Sequence, residues 1–280
     1  MNSASPLTPP PPLPAAIETA LGLAHASWLP TLRQGLAAMM QVDANYLPQL
    51  LTQPFLPTEN RLFAAFAQPL DKVRYVLVGE GPYPRAASAT GVCFMDGAVG
   101  NLWSDEVGGG LSKAVNRATS LRNFMKMLAV AAGELEPNQT SGPAMAELSV
   151  RARTNPAQWI QTLAQLQQNL TLSGFLLLNA SLVFRENMAP KIDAKAWQPF
   201  LAQVLSALPR SGAAANSSDS SAPGLVLWGK IAEQLQPLPQ VVGLPQIVAE
   251  HPYNLSFIGN RDMHALFGPM QLLRIPKGLD

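Results

Sequence analysis

The sequence predicts an α/β protein, a three-layer α/β/α sandwich around a central, mainly parallel four-stranded sheet. Four apolar runs recur at wide spacing and end in polar or glycine-containing turns: VRYVLVG (73–79), GFLLLNA (174–180), GLVLWGK (224–230) and, more weakly, QIVAEHP (246–252). Continuous runs of this length are typical of strands that are buried on both faces. Helical segments separate the runs, and this alternation favours a single α/β domain.

The covering layers are predicted from the helical periodicity of apolar residues. This periodicity runs through residues 17–41, with a break at Trp28-Leu29-Pro30, and through residues 47–66, where Thr58 is placed to cap the turn over 59–66. Between the strands, it predicts helices over 120–133, 156–172 and 197–208. We expect a loop or linker over 133–149 and a low-complexity surface loop over 210–223.

The proline-rich start, MNSASPLTPPPPLPAA, predicts a disordered or polyproline leader over residues 1–16, followed by one domain over 17–280. This start lacks the basic and apolar segments of a signal peptide. No apolar stretch reaches the roughly 18–20 residues that a membrane span needs. We therefore expect a cytoplasmic monomer without a membrane partner.

Composition limits the chemistry that the chain can perform. Apolar residues make up 48% of the chain and charged residues 13%, which indicates a packed globule and not a disordered protein. Cys93 is the single cysteine, so a disulfide within the chain is excluded and a reducing compartment fits. The three histidines are scattered, and we expect no metal and no cofactor. The net charge of +1 gives no overall signature of nucleic-acid binding, although a local basic face is compatible with it.

Candidate chemistry follows the predicted strands at their carboxyl ends, where ligands bind in sheets of this class. The first run leads into Gly79-Glu80-Gly81-Pro82-Tyr83-Pro84, a rigid loop that holds one aromatic ring. Asn179, Gly229-Lys230 and His251 follow the other runs. Taken singly, each has an ordinary interpretation: Asn179 as a strand-ending hydrogen bond, His251 as a surface histidine and Phe94 as core packing.

Taken together, these motifs resemble the uracil-DNA glycosylase family, most closely its metal-free first branch, over most of residues 28–275. The family's water-activating loop, Gly-Gln-Asp-Pro-Tyr-His, aligns with residues 79–84, and its Gly-x-x-Phe base-stacking element aligns with GVCF (91–94). SLRNF (120–124) is similar to the Ser-Leu-x-Asn helix start, and GFLLLNA to the uracil-reading strand. GLVLWGK is similar to the Trp-Gly strand, and HPYNLS (251–256) to the His-Pro-Ser-Pro-Leu-Ser loop. Because the motifs stand in the family's order, the resemblance is specific.

The resemblance implies a DNA glycosylase of base excision repair, which hydrolyses the N-glycosidic bond of uracil after flipping the base out of single- or double-stranded DNA. Three side chains would bind the base. The ring of Tyr83 would exclude the methyl group of thymine, Phe94 would stack on the base, and Asn179 would read the N3–H and O4 edge of uracil.

Catalysis and DNA contact are implied at other positions. His251 would donate to O2 of uracil, where negative charge grows as the bond breaks, as the donors of an oxyanion hole do. Leu255 would fill the gap that the flipped base leaves in the stack. The remaining implied positions are Glu80 and Gly81 for catalysis and Ser120 and Ser256 for DNA binding.

The sequence departs from the family's pattern at the water-activating position. Gly81 stands where the family has aspartate, Pro84 where it has histidine, and Tyr253-Asn254 where it has Ser-Pro; RATSLRN replaces a Pro-Pro-Ser-Leu loop. Glu80 makes the loop similar to the Gly-Glu-Ala-Pro motif of other branches, which also lack the aspartate. Three hypotheses follow: an active or weakened glycosylase, an inactive uracil- or DNA-binding homologue, and a scaffold without base recognition. The retained base-contact residues argue against the scaffold, and we favour the enzyme.

Overall fold

A computed structural model describes residues 12–209 and 222–276. Its centre is a sheet of four strands, β1 (Tyr75–Gly79), β2 (Phe175–Asn179), β3 (Gly224–Trp228) and β4 (Gln246–Ala249), in the order β2-β1-β3-β4. All neighbouring strands are parallel, with Gly79 opposite Asn179 and Trp228 opposite Ala249. The carboxyl ends of the strands therefore share one edge of the sheet. The predicted class is confirmed, although the sheet is wholly parallel and β4 ends earlier than the apolar run suggested.

Alternate side chains of the strands pack into two separate apolar layers. Val76 and Leu227 belong to one layer, and Leu77, Leu177 and Val226 belong to the other. Every position of β2 and β3 is buried. This burial follows from a side-chain period of two in a sheet that is covered on both faces, and it explains why the strands read as continuous apolar runs.

Helices cover both faces of the sheet. The first layer contains α1 (Ala15–Ala20), α2 (Leu29–Val42), α3 (Tyr46–Leu50), α8 (Pro190–Ala207) and α9 (Lys230–Leu235). The second layer contains α4 (Lys113–Arg117), α5 (Thr119–Ala131), α6 (Gly142–Thr154), α7 (Leu163–Leu172) and α10 (Arg261–Phe267). Short 3-10 helices connect them at Leu21–Leu23, Ala26–Trp28, Arg61–Phe66, Leu70–Lys72, Pro239–Val241, Leu255–Gly259 and Gly268–Met270.

The predicted loop over 133–149 is wrong in its second half, because α6 begins at Gly142. Pro143 occupies the first turn of α6, where the N–H that proline lacks would have no partner within the helix. The helix buries Met145 and Leu148 in the second layer. Burial in tertiary contacts therefore determines that this segment is helical, although its local sequence pattern is weak.

Three other predicted helix starts differ from the structure. The helix predicted over 197–208 begins seven residues earlier, at Pro190, because proline is accepted in a first turn. The helix predicted over 156–172 begins at Leu163, because Thr162 and Gln165 form a reciprocal capping box there. Thr58 does not cap the 59–66 turn through its side chain; its carbonyl accepts the N–H of Arg61 at 3.2 Å. The 3-10 helix instead follows Asn60, whose φ of 56° lies in the left-handed region.

Part of the predicted domain organisation lies outside the described residues, namely 1–11 of the leader and 210–221 of the surface loop. Within the described part, α1 starts at Ala15, inside the predicted leader. No helix of the described ranges has the length and apolar character needed to cross a bilayer.

Candidate active site

A cavity of about 260 Å³ opens at the carboxyl edge of the sheet. The chain leaves β1 on one side for β2 and later returns on the other side as β3, and such a crevice is the usual ligand site of open α/β sheets. The cavity brings together most of the sequence-predicted site residues: Glu80, Gly81, Tyr83, Phe94, Ser120, Asn179 and His251. Leu255 and Ser256 lie outside its lining. A larger cleft of about 880 Å³, between the end of α7 and residues 270–276, is lined by none of them.

Asn179 ends β2 and presents an unpaired amide to the cavity. It is only 4% exposed, yet within the described residues its side chain makes no hydrogen bond. Gly79, opposite it on β1, leaves room for this amide, since a Cβ there would lie 3.1 Å from Asn179 Oδ1 and 2.5 Å from Cys93 Sγ. Buried polar groups are normally satisfied. A donor and an acceptor held unused at a cavity wall therefore indicate a polar ligand.

Phe94 enters the cavity wall from a strained backbone. Its φ of 67° lies in the left-handed region, which costs a residue other than glycine about 1–3 kcal/mol. The ring packs edge-on against Phe124 and Trp228, with centroid separations of 5.3 Å in both cases. Packing therefore holds the ring in a conformation that the backbone alone disfavours, with its remaining surface on the cavity.

The turn that precedes Phe94 is fixed by backbone geometry. Gly91 has a φ of 80°, and a Cβ there would lie 2.0 Å from the Arg61 carbonyl oxygen, so only glycine fits. The hydroxyl of Thr90 donates to the Met95 carbonyl at 3.0 Å and accepts the N–H of Val92 at 3.1 Å. These contacts close the turn on itself and set the direction from which Phe94 reaches the cavity.

Tyr83 is half-buried and anchored to the same segment. Its hydroxyl donates to the Phe94 carbonyl at 3.4 Å. Burial raises the pKa of the Tyr83 phenol far above its ordinary value, with smaller contributions from Cys93 and Asp96. Burial also raises the pKa of the Cys93 thiol to about 12. Both groups are therefore neutral at physiological pH and shape the cavity without charging it.

His251 is held in one tautomer by its own loop. Its Nδ1 accepts the N–H of Tyr253 at 3.1 Å. Burial lowers the pKa of His251 below its ordinary value, and the nearby charge of Glu80 only partly opposes this. A neutral ring with an accepting Nδ1 carries its proton on Nε2, which makes no hydrogen bond within the described residues. Gly229 (φ 66°) makes room for the ring, since a Cβ there would lie 2.9 Å from His251 Cβ.

Asn123 fixes the loop that carries His251, a role that the sequence alone did not predict. It is completely buried on α5, and its Nδ2 donates to the carbonyls of Pro252 at 2.8 Å and Tyr253 at 3.2 Å, with a longer contact of 3.5 Å to that of Asn254. One feature of the sequence could have indicated this role: Asn123 lies among the apolar residues of SLRNFMKML. An asparagine on a buried helix face needs a polar partner.

Leu255 and Ser256 lie on the rim beyond His251. Leu255 begins the 3-10 helix and is 69% exposed. The Glu250 carboxylate accepts the Asn260 amide at 2.8 Å, and the Ser256 hydroxyl contributes to lowering its pKa. Burial opposes the ionisation of Glu250, but both side chains and a hydrogen bond from its own backbone lower its pKa. The Leu255 side chain projects into solvent.

Position 81 has space for a side chain. A Cβ on Gly81 would meet only Ser181 among the described residues within 4 Å, at 3.6 Å from its carbonyl oxygen and 3.9 Å from its Cβ. Gly81 is exposed and its φ is not in the left-handed region. Glu80 is the one acidic residue in the cavity lining, and it also borders a neighbouring cavity of about 350 Å³. The described residues contain no group of acidic, histidine or cysteine side chains placed to hold a metal.

No protein-family model matches the chain. Its structure is similar to wild-type UNG from Nitratifractor salsuginis, with a TM-score of 0.80, 35% sequence identity, and coverage of 95% of this chain and 99% of that one. The uracil-DNA glycosylases of Nocardioides sp. and Corynebacterium glutamicum are 26% and 25% identical to it over 211 and 243 residues. Those matches cover 74% and 83% of this chain and 70% and 81% of the relatives. The chain therefore belongs to the uracil-DNA glycosylase family.

Proposed function

We propose that this protein hydrolyses the N-glycosidic bond of uracil in DNA, as a uracil-DNA glycosylase of base excision repair. The observation that carries the proposal is the unpaired amide of Asn179, 4% exposed in the cavity wall. One amide offers a donor to O4 and an acceptor to N3–H of uracil, whereas cytosine presents the opposite pattern. Its family membership supports the same activity.

The other cavity residues take complementary roles in this proposal. Extruding the base costs a few kcal/mol of stacking and pairing, and Phe94 recovers part of that by stacking on the flipped base. Tyr83 rejects thymine by contact with its methyl group. The Nε2–H of His251 donates to O2, where negative charge develops in the transition state, and a donor fixed in advance is effective there.

Activation of water is the step that this chain performs differently from the family's pattern. Gly81 stands at the position of the family's aspartate and supplies no carboxylate. We propose that Glu80, the acidic residue of the lining, partly compensates by facing the positive charge that develops on the sugar. The rate of hydrolysis is then weakened, while recognition of the base is retained.

Leu255 is proposed to fill the gap in the base stack, with Ser120 and Ser256 as further contacts to the DNA. The protein is proposed to act as a cytoplasmic monomer on uracil in single- or double-stranded DNA, without a metal or cofactor. A catalytically inactive uracil- or DNA-binding homologue is the second candidate. The observation that favours it is the missing side chain at position 81, where the structure has room for one.

Uracil release tests the proposal directly. The protein is incubated with a uracil-containing oligonucleotide, and abasic sites are then cleaved with alkali. We expect cleavage with wild type, less with Glu80→Gln and almost none with Asn179→Ala. Binding of free uracil is measured in parallel. Binding without release would support the inactive homologue, and the absence of both would refute base recognition.

A further inference from the structure

An exposed aromatic ring lies on the loop that carries the cavity residue His251, and the proposed chemistry gives it no role. The side chain of Tyr253, two residues after His251, is 67% exposed. Within the described residues, its hydroxyl makes no hydrogen bond. Leu255, 69% exposed, lies two residues further along the same rim. Neither side chain belongs to the cavity lining, but His251, two residues before Tyr253, does.

The backbone that carries Tyr253 is rigid. Its N–H donates to Nδ1 of His251 at 3.1 Å, and its carbonyl accepts Nδ2 of the buried Asn123 at 3.2 Å. The N–H of Asn254 closes a turn onto the His251 carbonyl at 2.9 Å, and the following 3-10 helix packs against α5. The backbone of Tyr253 is therefore held at a fixed place relative to the catalytic histidine, so little backbone entropy is lost when the ring contacts a ligand.

We propose that Tyr253 stacks on the nucleobase next to the flipped uracil and thereby favours uracil in single-stranded DNA. This inference rests on the proposed function. A flat aromatic ring can stack on any of the bases, so this contact does not depend on the DNA sequence. In a single strand the neighbouring base is largely unstacked, so stacking on Tyr253 adds to the binding free energy without breaking another stacking contact. In a duplex the same base is already stacked and paired, so the gain is smaller.

The test compares kcat/KM for uracil release from single-stranded and duplex oligonucleotides. We expect Tyr253→Ala to lower kcat/KM on the single strand about tenfold or more, and the duplex value clearly less. Tyr253→Phe, which keeps the ring and removes the hydroxyl, should behave as wild type. Leu172→Ala is the matched control: it removes a 55% exposed apolar side chain at the end of α7, away from the cavity. It should change neither value.

A direct readout follows the neighbouring base itself. With 2-aminopurine beside an abasic site, wild type should quench its fluorescence on binding, and Tyr253→Ala should not. This signal needs no turnover. Equal quenching by both proteins, equal losses on both substrates, or a Tyr253→Phe defect as large as that of Tyr253→Ala would overturn the inference. Absence of uracil release by wild type, with the quenching difference intact, would refute the proposed hydrolysis alone.

Discussion

Restoring a carboxylate at position 81 is the sharpest perturbation that this structure allows. Gly81→Asp adds a side chain where the new Cβ meets Ser181 at ordinary contact distances of 3.6 and 3.9 Å. The backbone there is not in the left-handed region, so aspartate introduces no strain of that kind. We expect the variant to fold and to release uracil faster than wild type, because the anion faces the cationic sugar and orients the attacking water.

The size of the gain follows from the charge interaction. A carboxylate about 4 Å from a unit positive charge stabilises it by about 4 kcal/mol at an effective dielectric of about 20. The transition state carries only part of a charge, and position 81 is exposed to water. We therefore expect Gly81→Asp to stabilise the transition state by about 3 kcal/mol, which corresponds to uracil release about 10² times faster. In other enzymes, removal of one preorganised group lowers the catalytic rate by about 10²–10³, which is a change of similar size.

Single-turnover cleavage of a uracil oligonucleotide measures this gain. Gly81→Asn is the matched control, since it has the same shape without the charge. Melting profiles of both variants establish that they are folded. A folded Gly81→Asp protein that releases uracil no faster than Gly81→Asn would refute the loss of a single group as the cause of weak hydrolysis. The inactive binding homologue would then be the better description.

Three further predictions concern the support of the site and the fold. Asn123→Ala should lower the free energy of unfolding by about 1–3 kcal/mol in urea titrations and slow uracil release, because buried carbonyls lose their donor; unchanged release would contradict its positioning role. Because the pKa of His251 is lowered in the folded state, the unfolded chain binds that proton more tightly, so stability should fall as pH drops below the ordinary histidine range. His251→Asn should make the free energy of unfolding less dependent on pH. The same pH profile in wild type and His251→Asn would contradict the lowered pKa of His251 as the cause. Asp193→Ala should lower the free energy of unfolding by about 3–5 kcal/mol in urea titrations, because it leaves the Arg185 guanidinium buried without its carboxylate. The control Asp71→Ala removes an exposed carboxylate and should lower the free energy of unfolding by less than about 0.5 kcal/mol.

The sheet and the edge at which the cavity opens could be predicted from local pattern and a general rule, whereas Phe94 and Ser120 were placed there only by the family resemblance. Strands buried on both faces must be continuously apolar, and the runs ending at Gly79 and Asn179 meet that condition. Parallel strands place their carboxyl ends along one edge. Residues that follow different strands therefore meet, although they lie far apart in the chain.

The support of the cavity could not be predicted in the same way. Asn123 bonds a carbonyl 129 positions away, and no local pattern encodes that partner. The left-handed backbone of Phe94 depends on packing against Phe124 and Trp228, which belong to different elements. The start of α6 could not be predicted because its local pattern is weak and the helix is held by burial of Met145 and Leu148 in the second layer.

The residues that shape the cavity around Asn179 and Phe94 are separate from position 81. Gly79 and Gly91 make room for Asn179 and for the turn before Phe94, while a Cβ at Gly81 would meet only Ser181 within 4 Å in the described part of the chain. A substitution at position 81 is therefore expected to leave the Asn179 amide and the Phe94 ring undisturbed. In the proposed function, base recognition and water activation depend on separate groups, so we expect uracil affinity to stay high when the rate of hydrolysis falls.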